Sequence, residues 1–360
     1  MAAREMPKGS IAKGALPEGC RLCARGSKMV LLVTGLCGAG CFYCPLSDKK
    51  RGKDVVYANE LRAKGWKDIR READLIGAEG AGITGGDPLR VTRRTGAYAR
   101  SLKKAFGKDF HIHLYTASTD IQKIRAVVKA GVDEMRFHPP QATWKRIGKT
   151  AYPRAIAAAA RAGANVGAEI PALPDMRAEI EALLGALAET DVAFVNLNEL
   201  EFSETNWRRL KARGYSVKDD ISSGVKGSEG MARTLVKAWK GPYALHYCSA
   251  SYKDAVQLRN RLLRRAERVA LPGDVRTDEG TLVKGVVETS HPTELRRKFM
   301  RIYRIPGNLI RVDQGFKRLE IAPWILEEIA GRLNEPSFIV EEYPTADRLE
   351  VERTPLKGRR

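Results

Sequence analysis

Three cysteines stand within eight residues, Cys37-Gly-Ala-Gly-Cys41-Phe-Tyr-Cys44. Thiols spaced three and then two residues apart can wrap one corner of an iron–sulfur cubane, and the intervening glycines let backbone approach it without a Cβ clash. Three protein ligands on four irons leave one iron open, and an open position marks chemistry rather than storage. The alternatives are a zinc loop or three unrelated thiols. Zinc would want a fourth donor close by, and no further cysteine or histidine lies between Gly35 and Asp54.

The other three cysteines form a looser set. Cys20-Arg-Leu-Cys23 has the spacing of a metal clasp, and Cys248, two residues after His246, could complete it. An auxiliary iron–sulfur cluster, a structural zinc and three separate thiols all stay open. Cys23 precedes the first strand and Cys248 follows the last, so convergence requires the N-terminal segment to fold back. Residues 24–28 span roughly 17 Å when extended, which permits this without demanding it.

Thiol chemistry of either kind suits an intracellular, cytoplasmic and reducing setting. No apolar run of membrane-spanning length occurs, and the first residues lack the apolar stretch of a secretory leader. With 63 Lys+Arg against 43 Asp+Glu, the 360-residue chain carries a formal charge of +20. Such an excess attracts polyanions, nucleic acid above all. A thermophile surface is the bland alternative, and the scarcity of glutamine fits it, although ion-pair networks alone would favour balance.

The elements that must carry the cysteine loop alternate. Short apolar runs at 29–35, 81–86, 111–118, 133–139, 165–173, 193–200 and 243–248 are separated by Ala/Leu/Arg-rich helical patterns. This predicts an α/β fold of βαβ units around a parallel sheet, curled into a partial (β/α)6 barrel with its chemistry at the carboxyl ends of the strands. The expected organisation is an N-terminal segment (1–28) bearing Cys20 and Cys23, the barrel (29–250), and a basic helix with a small α+β appendage (251–360). In that helix, Arg261, Arg264, Arg265 and Arg268 recur at three- and four-residue spacings and could track phosphates. Residues 203–229 are polar and Gly/Ser-punctuated, as an excursion over the barrel mouth would be. His111 and His113 alternate on a strand and are expected to flank the core. The tryptophans are expected to pack. Asn196, Asn198, Glu199 and Glu201 form a polar cluster better suited to ligand contact than to a core.

Two motifs together resemble the radical S-adenosylmethionine superfamily: the C-x3-C-x-aromatic-C loop with Tyr43 as the aromatic, and Gly85-Gly86-Asp87-Pro88 at the end of the next strand. Within it, the likeness is to the archaeal group related to pyruvate formate-lyase-activating enzymes. The resemblance implies that Cys37, Cys41 and Cys44 hold a [4Fe-4S] cluster whose open iron takes the amino and carboxylate groups of S-adenosylmethionine. It implies Tyr43 beside the adenine, Gly85 and Gly86 presenting backbone to the methionyl ammonium, and Asp87 standing where the family carries Glu. Thr116 and Ser118 fall at the family's ribose-binding turn. Arg136 and His138 are candidates for the carboxylate or ribose, and Glu169 and Asn198 are further candidates from strand ends. An external one-electron reductant is implied, and cleavage of the sulfonium gives methionine and a 5′-deoxyadenosyl radical. The charge, the basic helix and the C-terminal α+β appendage, which could dock a polyanion, point to RNA, tRNA or rRNA, as the substrate. The alternative is an activating enzyme that installs a glycyl radical on a protein partner.

Overall fold

The apolar runs become a row of parallel strands, largely buried on both faces, although Val30 on the first of them is exposed. The computed structural model describes residues 2–356. It divides into one unit of Met1–Asp74 with Ala78–Leu258, and a second of Leu75–Gly77 with Arg259–Arg360.

In the first unit the strands are β1 (Arg4–Glu5), β2 (Ile11–Lys13), β3 (Lys28–Leu32), β4 (Tyr57–Ala58), β5 (Leu61–Arg62) and β6 (Gly80–Thr84). There follow β7 (His111–Thr116), β8 (Glu134–Phe137), β9 (Asn165–Ala172), β10 (Phe194–Glu199) and β11 (Ala244–Cys248). They form one sheet in the order β1-β2-β11-β10-β9-β8-β7-β6-β3-β4-β5. From β3 through β6 to β11 every neighbour is parallel. The fold is therefore α/β with a large, mostly parallel sheet.

Its helices are α1 (Glu18–Ala24), α2 (Trp66–Leu75), α3 (Thr92–Phe106), α4 (Ile121–Lys129), α5 (Tyr152–Arg161) and α6 (Arg177–Leu187), then α7 (Trp207–Lys211), α8 (Ser228–Ala238) and the single turn α9 (Ala250–Tyr252). Local chemistry sets several starts. The Asp120 carboxylate accepts from Lys123 N at 3.1 Å and caps α4. Pro153 sits in the first turn of α5, where its missing N–H costs nothing. It also separates α5 from the 3-10 turns of Gln141–Lys149, so the pattern over 144–163 is two elements rather than one.

Strand alternation divides the chemistry. On β7, Ile112 and Leu114 are fully buried on one face while His111, His113 and Tyr115 point to the other. On β8, Met135 and Phe137 alternate with Glu134 and Arg136 in the same way. One face of the sheet is apolar, and the opposite face carries a buried polar row.

The N-terminal segment holds structure that composition did not announce. β2 pairs antiparallel with β11, Ile11 opposite Tyr247, and Ser249 N donates to Ser10 Oγ at 3.0 Å. α1 then lies beside β3, β6 and β7. Gly19 permits this, because a Cβ there would stand 2.4 Å from His113 Nδ1 and 2.5 Å from Arg136 Nη2.

The second unit has α10 (Arg259–Val269), β12 (Val275–Arg276), β13 (Leu282–Glu288), α11 (Pro292–Ile302), β14 (Ile310–Asp313), β15 (Arg318–Ile321), α12 (Pro323–Ile329), β16 (Ser337–Glu342) and β17 (Glu350–Pro355). The strands run β14-β15-β13-β16-β17, with β12 pairing β13, and the pairings are antiparallel. One face packs Val287, Leu319 and Ile321 against Leu295, Phe299, Leu326 and Ile329. The other carries ions: Lys284 to Glu342 at 2.5 Å, Arg318 to Glu320 and Glu342 at 2.9 Å each, Arg311 to Glu320 at 2.6 Å, and Arg348 to Glu320. Burial alone would raise the Glu320 carboxyl, but Lys284, Arg311 and Arg348 outweigh it and hold it well below the carboxylate range. A carboxyl lowered on folding contributes stability above its unfolded pKa and loses it as pH falls through the folded value. Glu320→Gln is thus expected to destabilise the chain by about 3–5 kcal/mol at pH 7, since it strands buried cations. The penalty should shrink as pH drops below 4.5, and urea denaturation at pH 7 and pH 4 measures both.

The expected basic helix over 251–270 is broken. A π-helical turn, Lys253–Leu258, separates α9 from α10. Within the second unit Arg265 is buried, its Nε donating to Pro344 O at 2.5 Å. Arg264 donates to the carbonyls of Ile76 at 2.9 Å and Gly77 at 2.5 Å. These guanidiniums cap main chain and are not free for phosphate.

Candidate metal and cofactor site

Three loops meet at the carboxyl end of β3. Gly86 N donates to Thr34 O and Asp87 N to Leu36 O, both at 2.8 Å. A Cβ at Gly85 would lie 2.2 Å from Thr34 O, one at Gly86 2.2 Å from Leu36 O, and one at Gly35 1.7 Å from Lys50 O. Here the glycines are required first by sterics: main chain touches main chain where the cysteine loop departs.

Side chains then hold the loop by its carbonyls. Arg51 Nη2 donates to Cys44 O at 2.8 Å, Asn206 Nδ2 to Tyr43 O at 3.0 Å and Glu201 O at 2.9 Å, and Arg209 Nη1 to Cys41 O at 3.3 Å. The Arg213 guanidinium lies 3.9 Å over the Phe42 ring. Three of these four residues come from the 203–229 excursion, which packs on the cysteine loop. Asn206 is fully buried. No sequence signal distinguished it from its polar neighbours.

The sulfurs face a different side. Cys37 is exposed, Cys41 and Cys44 are half-buried, and burial pushes the Cys41 thiol up. Ala39 N donates to Cys37 Sγ at 3.4 Å. Nothing stands within 4 Å of a Cβ built on Gly38 or Gly40, so there is open space beside the glycines that separate Cys37 from Cys41. Three soft donors, a backbone N–H aimed at sulfur and room for a bulky inorganic group fit a [4Fe-4S] cluster. As the side chains lie, no three cysteine, histidine or carboxylate donors converge to hold a single metal ion among the described residues.

Around this loop the structure gathers several predicted residues. Tyr43 is buried, its hydroxyl 3.1 Å from His138 Nε2, and His138 Nδ1 is 2.6 Å from Glu169 O. A carbonyl can only accept, so Nδ1 carries the proton and Nε2 accepts from Tyr43. Asp87 accepts from Leu89 N at 3.0 Å, Thr116 Oγ1 at 2.8 Å and Ala117 N at 3.2 Å, while Ser118 N donates to Thr116 Oγ1 at 3.0 Å. The shorter Asp is therefore committed to tying the end of β6 to the end of β7. Tyr152, which the sequence did not single out, donates to Ala117 O at 2.6 Å. Burial, helped by the nearby Asp87 and Cys41, pushes its phenol well above the usual tyrosine range.

Arg136, Glu169 and Asn198 belong to a second assembly on the buried polar face. Arg136 Nε donates to Glu134 Oε1 at 2.7 Å, Nη1 to Glu169 Oε2 at 2.6 Å and Nη2 to Cys20 Sγ at 3.4 Å. Glu169 also accepts from Asn196 at 3.0 Å and Asn198 at 2.7 Å. Burial would raise the Glu169 carboxyl, yet Arg136 and the two amides lower it. Lys28, 2.6 Å from His113 Nδ1, is lowered by burial to about 8. Arg136 thus has both ends of its fork occupied inside the protein. The structure brings Cys20 into this assembly, and Cys248 is buried on β11 beside it.

A protein of Methanocaldococcus jannaschii, whose name describes it as a putative glycyl-radical enzyme activating enzyme, is 39% identical over 358 residues, 95% of this chain and 93% of its own length. Residues 280–356 match a domain of unknown function, DUF8061. No helix among the described residues is long and apolar enough to cross a membrane.

Proposed function

The chain belongs to the radical S-adenosylmethionine superfamily, in the group related to pyruvate formate-lyase-activating enzymes, and from that membership we propose that it installs a glycyl radical on a protein partner. Cys37, Cys41 and Cys44 would hold the [4Fe-4S] cluster. The chemistry such a cluster supplies is one-electron cleavage of S-adenosylmethionine, with an external reductant as the electron source. This chain's own residues do the positioning. Arg51, Asn206 and Arg209 fix the loop by its carbonyls, so these clasps do not engage the thiols. Asp87, Thr116 and Ser118 shape a polar strand end suited to a ribose, and Tyr43, fixed by His138, offers an aromatic wall for adenine. The main chain at Gly85 and Gly86 would meet the methionyl ammonium, as the family resemblance implies. A glycine of the partner would lose its Cα hydrogen to the 5′-deoxyadenosyl group, which leaves as 5′-deoxyadenosine. A sheet curled into a partial barrel would wall off that reaction, since so reactive a radical tolerates little water or play.

The observation that carries this reading is the cysteine loop, clasped at its carbonyls and not at its sulfurs, in a chain that matches its relative over nearly full length. The RNA reading rested on net charge, on the C-terminal α+β appendage and on the basic helix, two of whose arginines cap carbonyls instead. Anaerobic reconstitution with iron and sulfide, then S-adenosylmethionine, dithionite and protein fractions from the source cells, tests the proposal. Expected is 5′-deoxyadenosine together with a protein-borne radical doublet in electron paramagnetic resonance. Cleavage stimulated by purified RNA but by no protein fraction would overturn the glycyl-radical assignment.

A further inference from the structure

We propose that Cys20, Cys23, Cys248 and Nε2 of His246 form a second metal site, for one tetrahedral thiophilic cation, zinc. The inference does not depend on the cluster or on the glycyl-radical reading.

The pairing of β2 with β11 removes the objection that these cysteines belong to opposite ends of the sheet. It carries the N-terminal segment back along β11 before α1 turns inward. Cys20 then touches Asn196, whose Nδ2 donates to its sulfur at 3.3 Å. The same Nδ2 donates to Glu169 Oε2 at 3.0 Å, which orients the amide: its nitrogen lies between a sulfur and a carboxylate. Oδ1 must therefore face His246 Nδ1, 3.3 Å away, and that nitrogen carries the proton. Nε2 is left as a bare lone pair. It is buried, has no hydrogen-bond partner, and belongs to a ring only 3% exposed.

That tautomer is the one a metal requires, with Nε2 free and Nδ1–H held by a neighbouring oxygen. The register supplies the remaining donors. Asn196 stands opposite His246 and Asn198 opposite Cys248, so His246 and Cys248 occupy successive same-face positions of β11. Cys23 lies one helical turn from Cys20. Gln257 Nε2, on the π-helical turn, is 3.5 Å from Cys248 Sγ. Three thiols and one imidazole make the Cys3His set of structural zinc sites, with Asn196 and Gln257 as its outer supports. The donors are not converged to coordination distance as they lie, and neither are Cys37, Cys41 and Cys44. Binding would draw each set together.

The test uses the full chain with Cys37, Cys41 and Cys44 all replaced by alanine, titrated anaerobically with Co2+ alone. Expected are thiolate-to-cobalt charge-transfer bands with intense tetrahedral d–d bands, saturating at one equivalent and bleached by Zn2+. Cys248→Ser should abolish the tight component. Asn196→Ala, which frees the imidazole to turn, should weaken it roughly 10- to 100-fold. A titration without tetrahedral bands, or one that Cys248→Ser leaves unchanged, overturns the proposal. Should the triple variant fail to fold, zinc content of the unmodified chain is compared with that of Cys248→Ser. Loss of one zinc per chain supports the site, and equal content overturns it.

Discussion

Cys41→Ala is expected to strip the iron from the reconstituted protein and to reduce cleavage of S-adenosylmethionine to background. Cys41 is the middle ligand of the loop. Its carbonyl accepts from Arg209 at 3.3 Å and from Cys44 N at 3.3 Å, so its sulfur is the best-fixed point from which the other two can close. Two cysteines cannot hold a cubane corner that needs three, and nothing near the loop offers a replacement thiol. The side chain is half-buried and its removal leaves the carbonyl clasps intact. The unfolding midpoint should therefore shift little, which separates loss of cluster from loss of fold. Iron analysis, absorbance near the sulfur-to-iron charge-transfer region and chromatographic assay of 5′-deoxyadenosine give the result together. A variant that keeps its iron and still releases 5′-deoxyadenosine would sink the assignment of Cys37, Cys41 and Cys44.

What could be foreseen depended on how far each signal travels along the chain. The cysteine loop and the Gly-Gly-Asp-Pro turn are local patterns, and the parallel strands announce themselves as apolar runs between helical ones. β2 was invisible because it is three residues long and draws its order from β11, more than two hundred residues away. Asn206 was invisible for the same reason: its worth lies in reaching Tyr43 O, and its neighbours in sequence look equally polar. Arginines at helical spacing on 259–269 show that one side is cationic. They cannot show whether that side meets phosphate or main-chain carbonyls, and Arg264 and Arg265 meet carbonyls. Arg136 followed the same course. Its place on β8 was evident, but its partners Glu134, Glu169 and Cys20 converge from three separate elements.

Those partners make Arg136→Met the most damaging change expected in the buried polar face, about 3–5 kcal/mol at pH 7. Methionine matches much of the volume but removes the cation that Glu134 and Glu169 share, while Glu134 is 0% and Glu169 8% exposed. In the native protein burial would raise both carboxyls, and Arg136, first among the opposing groups, lowers them. Their contribution to stability is then present above the unfolded value of 4.5 and lost as pH falls toward the folded values. Without the guanidinium, burial prevails, the folded carboxyls hold protons above pH 4.5, and the variant loses stability as pH rises. The gap between the two proteins must therefore widen from pH 5 to pH 8, which urea midpoints at the two values will show. Glu169→Gln placed in the Arg136→Met background should restore part of the loss at pH 8, because it removes the stranded charge while one of Asn196 and Asn198, which donate to different oxygens of the carboxylate, keeps its acceptor. A gap of equal size at both pH values would mean that packing of the guanidinium against Tyr115 and Phe194, 5.5 and 5.3 Å from its carbon, outweighs its charge. His138 hangs from the Glu169 carbonyl and holds Tyr43 in turn, so the same substitution also disturbs the wall beside the cysteine loop.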